Sequence, residues 1–362
     1  MKKAAAILGF VVIFAAYKLT QYDLLNSMNE NLVLNGATIE LAIFAFCLSS
    51  STYDGKIDID NGHVEEDDYQ KQSIYSVLYS LYDFIGTVES DKGVDYHFTF
   101  NTWGIASNPP LYEESDPERF GKTAYKSLVL FDDIKDLISE KISKNEALLI
   151  LEVGCGTGAG ANLISSELAQ ENPSLNIQYT ALDMQLAAIN LCNKLHSVNN
   201  PNLNCVQGNG MNLTFNDNTF DIIVVSETHI AEIDLDDESI IILNEIKRVL
   251  INNGYFVWGN ALFTRTWNDI IYNHLPNIGY ESCGINNVTS GAIEARYGDE
   301  GRAEAYWNAI KARILTLQWH STCNRYIKQL LFNFYRNPGT NLFNTMVNGT
   351  DSYMQICNKI TK

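Results

Sequence analysis

The chain has 362 residues, of which 46% are hydrophobic and 19% are charged, a composition that indicates a globular protein and excludes a disordered one. A chain of this length buries a full α/β core, as one large domain with additions. The formal net charge of −18 argues against a nucleic-acid partner, because surfaces that bind DNA or RNA are basic.

A short apolar segment lies near the start of the sequence. Lys2 and Lys3 precede the uncharged run Ala4–Tyr17, and Lys18 closes it. As a helix this run rises about 21 Å, which is short of the roughly 30 Å hydrocarbon core of a bilayer. The pattern is typical of a signal peptide or a short signal anchor, and it predicts a membrane-associated or secretory protein. The alternative is a buried N-terminal helix in a cytoplasmic protein.

Three triplets further along fit the acceptor pattern for N-glycosylation. Such triplets are common by chance, and they matter only in a chain that enters the secretory lumen. They are Asn212-Leu213-Thr214, Asn287-Val288-Thr289 and Asn348-Gly349-Thr350.

From residue 147 onward, apolar runs of strand length alternate with helical runs. The predicted strands are 148–153, 177–182, 203–207, 220–225 and 255–258, and the predicted helices between them are 158–170, 184–196 and 237–250. After residue 260 the pattern is less regular, with helices near 266–275 and up to about 335 and strands near 280–286 and 353–360. The alternation predicts an α/β fold whose mostly parallel sheet carries helices on both faces and binds ligands at the carboxyl ends of its strands.

Cysteine and histidine are distributed without a recognisable pattern. The seven cysteines form no C-x-x-C pair, so we expect mostly free thiols and no disulfide framework. The six histidines show no metal-like spacing, and we predict no metal site.

A glycine-rich loop follows the first predicted strand. After Glu152 and Val153, glycine stands at every second position, at Gly154, Gly156 and Gly158. Glycine allows positive φ and lets a ligand lie against main chain, and the next helix offers free N–H groups at its N-terminus. Dinucleotide-binding enzymes share such loops, so the loop alone does not choose between a nucleotide site and a simple strand-to-helix turn.

Polar residues follow the other predicted strands at their carboxyl ends. Asp183 ends the second strand, where its carboxylate is placed to accept both ribose hydroxyls or to cap the next helix. The triplet 209–211 follows the third strand, and residues 226–229 follow the fourth, which begins with Phe-Asp. The run 249–258, "VLINNGYFVW", turns a helix into the fifth strand.

This ordered set resembles the class I S-adenosylmethionine-dependent methyltransferases over about 145–260, which implies a Rossmann-like fold with a seven-stranded sheet. The segments "YHFTFNTWG", "ALDMQLAAINLCNKLH" and "GTNLFNTMVNGTDSYMQIC" resemble lipid and small-molecule methyltransferases, in particular the phthiotriolone/phenolphthiotriolone dimycocerosate methyltransferases. Sterol and tocopherol methyltransferases are similar at a greater distance. The chain departs from the family at Asn209, where Asp is usual, and at 251–254, where Lys-Pro-Gly-Gly is usual. Because asparagine tolerates the left-handed conformation, we expect that turn to survive.

The resemblance implies S-adenosylmethionine as the cofactor and a set of residues around it. The glycine loop would cradle the methionine part, Glu152 would orient the loop or meet the amino group, and Asp183 would hold the ribose. For Trp103 and Tyr125, packing in the core is the alternative. The implied cofactor-binding residues are Glu152, Gly154, Gly156, Thr157, Gly158, Asp183, Met184, Asn209, Gly210, Met211, Ser226, Tyr96, Trp103 and Tyr125.

His229 is the candidate general base, because a histidine near neutrality suits removal of a hydroxyl proton. Glu227, two residues earlier, is expected to contact the cofactor or orient His229, and His97 is a second candidate base. The alternative for His229 is that it only caps a helix or lines the pocket. An aromatic-rich stretch, 261–340, predicts a lid over an apolar pocket.

These features predict a methyltransferase of a small hydrophobic, lipid- or polyketide-like acceptor, acting at oxygen. A sterol- or isoprenoid-type C-methyltransferase and a non-catalytic cofactor-binding protein are the alternatives. The predicted organisation is a signal or anchor at 1–20, a helical extension with an acidic linker at 21–95, a cover of the active site at 96–145 and the methyltransferase domain at 146–362. No nucleic acid is expected as a partner, and membrane association is expected through the N-terminus.

Overall fold

The structure is a computed structural model that describes residues 102–116, 118–228, 230, 237–298 and 341–362. The predicted signal or anchor, the linker and most of the predicted lid lie outside these residues, and the domain boundaries stay predictions. No helix among the described residues has the length and apolar content needed to cross a bilayer.

The described residues form a seven-stranded sheet in the order β3-β2-β1-β4-β5-β7-β6. The first five strands pair in parallel, while β7 runs antiparallel to β5 and β6. The strands are β1 (Leu148–Val153), β2 (Ile177–Asp183), β3 (Leu203–Gln207), β4 (Phe220–Ser226), β5 (Leu250–Phe263), β6 (Tyr280–Asn287) and β7 (Asp351–Ile360). This mostly parallel sheet, with helices packed on it, confirms the predicted class I methyltransferase fold.

Helices connect the strands. They are α1 (Arg119–Lys126), α2 (Asp132–Lys144), α3 (Ala159–Glu171), α4 (Leu186–Leu195), α5 (Asp237–Val249), α6 (Thr264–Asp269), α7 (Leu275–Asn277), α8 (Thr289–Tyr297) and α9 (Asn341–Val347), with a π-helical turn (Ile270–His274) between α6 and α7. Charged residues at both ends stabilise two of the longer helices. Helices α2 and α5 each begin with two acidic residues and carry two basic residues in their last turn, which complements the helix dipole.

The sheet separates two apolar cores. One is formed by residues of α1–α4 against one face, and the other by residues of α5, α6 and the π-helical turn against the opposite face. Every residue of β4 is buried, as expected of a central parallel strand covered on both sides. Asp221 in this strand is only 2% exposed; it pairs with Lys141 of α2 at 2.7 Å and accepts the Leu149 N–H at 2.8 Å. The Phe-Asp pair of the sequence therefore ties α2 and β1 to the central strand.

The fifth strand is longer than predicted. It runs from Leu250 to Phe263, because β4 pairs with it at Leu250 and β7 pairs with it out to the register Phe263↔Asp351. Near its start, Asn253 adopts a φ of 62°, so the expected left-handed asparagine in this turn is confirmed. Gly254 lies close to main chain, with an added Cβ only 3.0 Å from the Ile251 carbonyl oxygen.

The expectation of mostly free thiols is wrong for the described residues. Cys192 of α4 is bonded to Cys205 of β3, and Cys283 of β6 is bonded to Cys357 of β7. Spacing along the chain could not show either pair, because each joins cysteines that meet only when neighbouring elements pack. Cys155 is a free, buried thiol, as expected of a small apolar residue.

Candidate cofactor and active site

The glycine loop lies between β1 and α3, where the strand order of the sheet reverses. Gly154, Gly156 and Gly158 all have positive φ, at 78°, 55° and 80°. A Cβ on Gly154 would overlap the side chain of Thr228, and one on Gly158 would overlap the Cys192 sulfur. Two of the three glycines are therefore required by the protein's own packing as well as by the turn.

Asp183 joins the end of β2 to this loop. Its Oδ2 accepts the Gly156 N–H at 2.9 Å, and its Oδ1 accepts the Gln185 N–H at 2.8 Å, just before α4. The side chain is buried. The carboxylate therefore orders the glycine loop and the start of α4 together.

Glu152 is fully buried near the end of β1. Tyr179 of β2 donates its hydroxyl to Glu152 Oε2 at 3.0 Å, while Oε1 has no hydrogen-bond partner within the described part of the chain. Burial raises the pKa of this carboxyl to about 8, with the Tyr179 hydrogen bond opposing the rise and the charge of Asp183 adding to it. A buried acid with an unpaired oxygen is poised to receive a donor from a ligand.

Glu227 follows β4 in the left-handed region, with a φ of 49°. Its Oε1 accepts hydrogen bonds from the Thr102 hydroxyl, from the Trp103 N–H at 2.8 Å and from the Tyr353 hydroxyl of β7 at 2.8 Å. Burial raises the pKa of Glu227, and these hydrogen bonds and nearby Arg296 oppose the rise. The carboxylate thus fastens the segment before α1 to the tips of β4 and β7.

Two predicted aromatic residues lie beside these acids. Tyr125 of α1 packs its ring where a Cβ on Gly160 would lie, and burial followed by the charges of Glu152 and Glu227 raises the pKa of its hydroxyl well above the usual range. Trp103 lies under the Arg296 guanidinium, whose carbon is 4.5 Å from the ring centroid. Each of the two residues is buried and adjoins the site, and cofactor contact stays a prediction for both.

The loop predicted to hold adenine follows β3, at the same edge of the sheet. Asn209 Oδ1 accepts the Met211 N–H at 2.9 Å, so this side chain shapes its own loop. Gly210 approaches Val153, with an added Cβ 3.1 Å from that side chain. Met184 and Thr157 are half-buried, and Ser226 is buried at the end of β4.

The structure brings together most of the predicted site but leaves some residues aside. Tyr96, His97 and His229 lie outside the described residues, and their roles stay predictions. Sequence reasoning missed Tyr179 and Tyr353, the two phenols that hydrogen-bond the buried acids. The alternation of β2 could have indicated Tyr179, because it lies two residues before Ala181, the register partner of Glu152, and so on the same face of the strand. Nothing in the sequence indicated Tyr353.

Residues 150–254 match the family described as "Methyltransferase domain". The chain is 35% identical over 166 residues to a probable phthiotriol/phenolphthiotriol dimycocerosates methyltransferase 2 of Mycobacterium ulcerans, covering 44% of this chain and 55% of that protein. It is 29% identical over 172 residues to a fatty-acid O-methyltransferase of Mycolicibacterium smegmatis, covering 46% and 54%. The matched stretch is thus about half the length of each of these two relatives.

Among solved structures, the fold is similar to that of the [4+2]-cyclase SpnF, with a TM-score of 0.50 and 15% identity over 78% of this chain and 95% of that chain. At this identity the likeness concerns the fold alone. The family match supports the predicted cofactor, S-adenosylmethionine. Residues 150–254 thus match a methyltransferase domain, and the sheet that contains them has the topology of the class I methyltransferase fold.

Proposed function

We propose that this protein is an S-adenosylmethionine-dependent methyltransferase that acts on a lipid-like acceptor at oxygen. The observation that carries the proposal is the meeting of the glycine loop with Asp183 at the switch point of the sheet, through the 2.9 Å bond from the Gly156 N–H. Ligands of open α/β sheets bind at this point, outside the carboxyl ends of the strands.

The charge of the site supports this cofactor over a dinucleotide. Two buried acids, Glu152 and Asp183, and the half-buried Glu227 lie at the tips of β1, β2 and β4. Such a set disfavours the anionic diphosphate of a nicotinamide cofactor. It favours a ligand that carries an ammonium and a sulfonium, because these positive charges would oppose the rise in the pKa of Glu152 and Glu227. S-adenosylmethionine supplies an activated methyl group on its charged sulfur, so the protein has to supply alignment and, for some acceptors, a base.

Three parts of the cofactor are assigned to residues of the site. Glu152, with its unpaired Oε1, is the acceptor for the amino group, and Asp183 is the acceptor for the ribose hydroxyls. Met184 and the loop 209–211 flank the adenine position. Because the Asn209 side chain is already bonded within its loop, main-chain groups there carry any contact to the adenine edge.

The acceptor is inferred from the two relatives, whose names specify a dimycocerosate lipid and a fatty acid. A fatty acid is ionised at neutral pH and needs no base, whereas a hydroxyl or phenol must lose a proton as it is methylated. We assign the removal of that proton to His229. The preceding residue, Thr228, donates its hydroxyl to the Gly154 carbonyl at 3.0 Å, which supports a place for His229 next to the glycine loop.

C-methylation with Glu227 stabilising a cation is the second candidate. Burial of this acid at the tip of β4 favours it, but the three hydrogen bonds to Oε1 already hold the carboxylate against the protein. A non-catalytic cofactor-binding protein is the third, since one fold hosts several functions.

The test is methyl transfer by the full chain from cofactor carrying a labelled methyl group to a fatty acid and to a long-chain phenol. The His229→Ala variant should lose about 100-fold or more of its rate on the phenol and little on the fatty acid. His274→Ala is the matched control, because His274 lies on the π-helical turn, outside the predicted site, and 38% of its side chain is exposed.

Three results would contradict the proposal. Unchanged turnover of the phenol by His229→Ala removes the base assignment. Label fixed to carbon, which resists the alkaline cleavage of esters and the acid cleavage of ethers, supports C-methylation. Absence of binding to S-adenosylhomocysteine supports a protein without cofactor chemistry.

A further inference from the structure

Two disulfides cross-link the described part of the chain. Cys192–Cys205 joins α4 to β3 across a Cα–Cα distance of 6.2 Å, and Cys283–Cys357 joins β6 to β7 across 5.1 Å. These separations are within the range that a disulfide spans. Structural disulfides persist in oxidising compartments and are rare in the reducing cytosol. The covalent chemistry of the fold therefore points to maturation in an oxidising lumen.

Two glycosylation triplets adopt the same geometry. Asn287 Oδ1 accepts both the N–H and the hydroxyl of Thr289, at 3.1 Å and 2.6 Å. Asn348 Oδ1 accepts both groups of Thr350, at 3.0 Å and 2.7 Å. Both asparagines are exposed.

The two triplets also lie at the same end of the antiparallel edge. Asn287 closes β6, opposite Met354, and Asn348 precedes β7, which begins at Asp351. Among the described residues the surface beside Asn348 is open, since an added Cβ on Gly349 would have none of them within 4 Å. A bulky glycan at either position meets solvent and leaves the sheet pairing intact.

We propose that the chain enters the oxidising lumen of the secretory pathway and is N-glycosylated at Asn287 and Asn348. The reaction joins the side-chain amide nitrogen to the first sugar of a lipid-diphosphate-linked oligosaccharide. The bond from that sugar to the diphosphate breaks, the lipid diphosphate leaves and the amide nitrogen loses one proton. The lysine-flanked apolar run Ala4–Tyr17, predicted to be a signal or anchor, directs the chain to the same compartment.

The third triplet is different in its surroundings. Asn212 donates its N–H to the Asn209 carbonyl at 3.0 Å, in the loop predicted to hold adenine, and Leu213 is buried. A glycan at Asn212 would adjoin the cofactor position, so the proposal excludes this residue. The inference does not depend on the proposed function, because neither the disulfides nor the two glycosylation triplets need a cofactor.

The test is expression of the full chain in a eukaryotic cell, followed by treatment with a glycan-releasing amidase. We expect a mobility shift equal to two glycans, one lost in Asn287→Gln, one in Asn348→Gln and both in the double variant. Thr289→Ala should remove the same glycan as Asn287→Gln while keeping the asparagine. Asn286→Gln is the matched control, an exposed neighbour on β6 outside the triplet.

Disulfide formation is tested on the same material by alkylation of the unfolded chain, first without reductant and then with it. We expect Cys192, Cys205, Cys283 and Cys357 to resist the first step and react only after reduction. A wild-type chain with no amidase-sensitive shift, a shift retained in the double variant or alkylation of the four thiols without reductant would each overturn the proposal.

Discussion

Replacing Glu152 by glutamine tests whether the raised pKa of this buried acid makes the free energy of unfolding depend on pH. Burial raises the pKa of Glu152 from 4.5 to about 8. Between these values the unfolded chain releases the proton while the folded chain keeps it, so the free energy of unfolding falls as pH rises. The difference of about 3.5 pH units corresponds to about 5 kcal/mol at 1.36 kcal/mol per unit. This contribution is fully present below about pH 4.5 and is lost as pH rises through about 8.

Urea unfolding of wild type and Glu152→Gln at several pH values from about 4.5 to about 8.5 measures this contribution. Because glutamine does not titrate, only the wild type should lose this contribution as pH rises. The free energy of unfolding of the variant minus that of wild type should therefore increase by up to about 5 kcal/mol across the range. Glu281→Gln, an exposed substitution on β6, is the matched control and should show no such gain. Parallel curves for wild type and Glu152→Gln would refute the reasoning.

Three further substitutions, one of them with a control at Gly349, test the packing and the cross-linking of the fold. Gly158→Ala should destabilise the fold by about 3 kcal/mol or more, because the added Cβ would overlap the Cys192 sulfur. Gly349→Ala is the control: its φ is nearly the same but no described atom lies near the added Cβ, so it should cost about 1 kcal/mol. Equal costs in thermal unfolding would argue against the overlap. Tyr353→Phe should cost about 2 kcal/mol in urea, because the half-buried Glu227 loses a donor, and a neutral effect would mean that this bond is not formed. Cys283→Ser should cost about 4 kcal/mol in urea, the chain-entropy value for a loop of 74 residues, and an unchanged free energy of unfolding would mean that this disulfide is not formed.

The sequence predicts the parallel half of the fold because each strand there is a short apolar run and each connection is helical. It also predicts that Asp183 meets the glycine loop, since β1 and β2 are consecutive parallel strands whose carboxyl ends share one edge. Both results need only local pattern and the rules of parallel sheets.

The remaining features depend on register and packing between distant elements. Tyr353 reaches Glu227 across 126 residues because β7 returns antiparallel beside β5, a pairing that no local pattern encodes. The disulfides were missed for the same reason, since Cys283 faces Cys357 only through the irregular register between β6 and β7. Likewise, the glycine spacing predicted a ligand cradle but not that the Thr228 side chain fills the space beside Gly154.

Calorimetric titration of the full chain with S-adenosylhomocysteine tests the central claim most directly. The account predicts one site per chain and about 100-fold weaker binding in Asp183→Ala, because two hydrogen bonds from ribose to a charged acceptor are lost. Asp136→Ala, an exposed change on α2, should bind as wild type does. Absence of binding by wild type, or undiminished binding by a folded Asp183→Ala variant, would contradict the account.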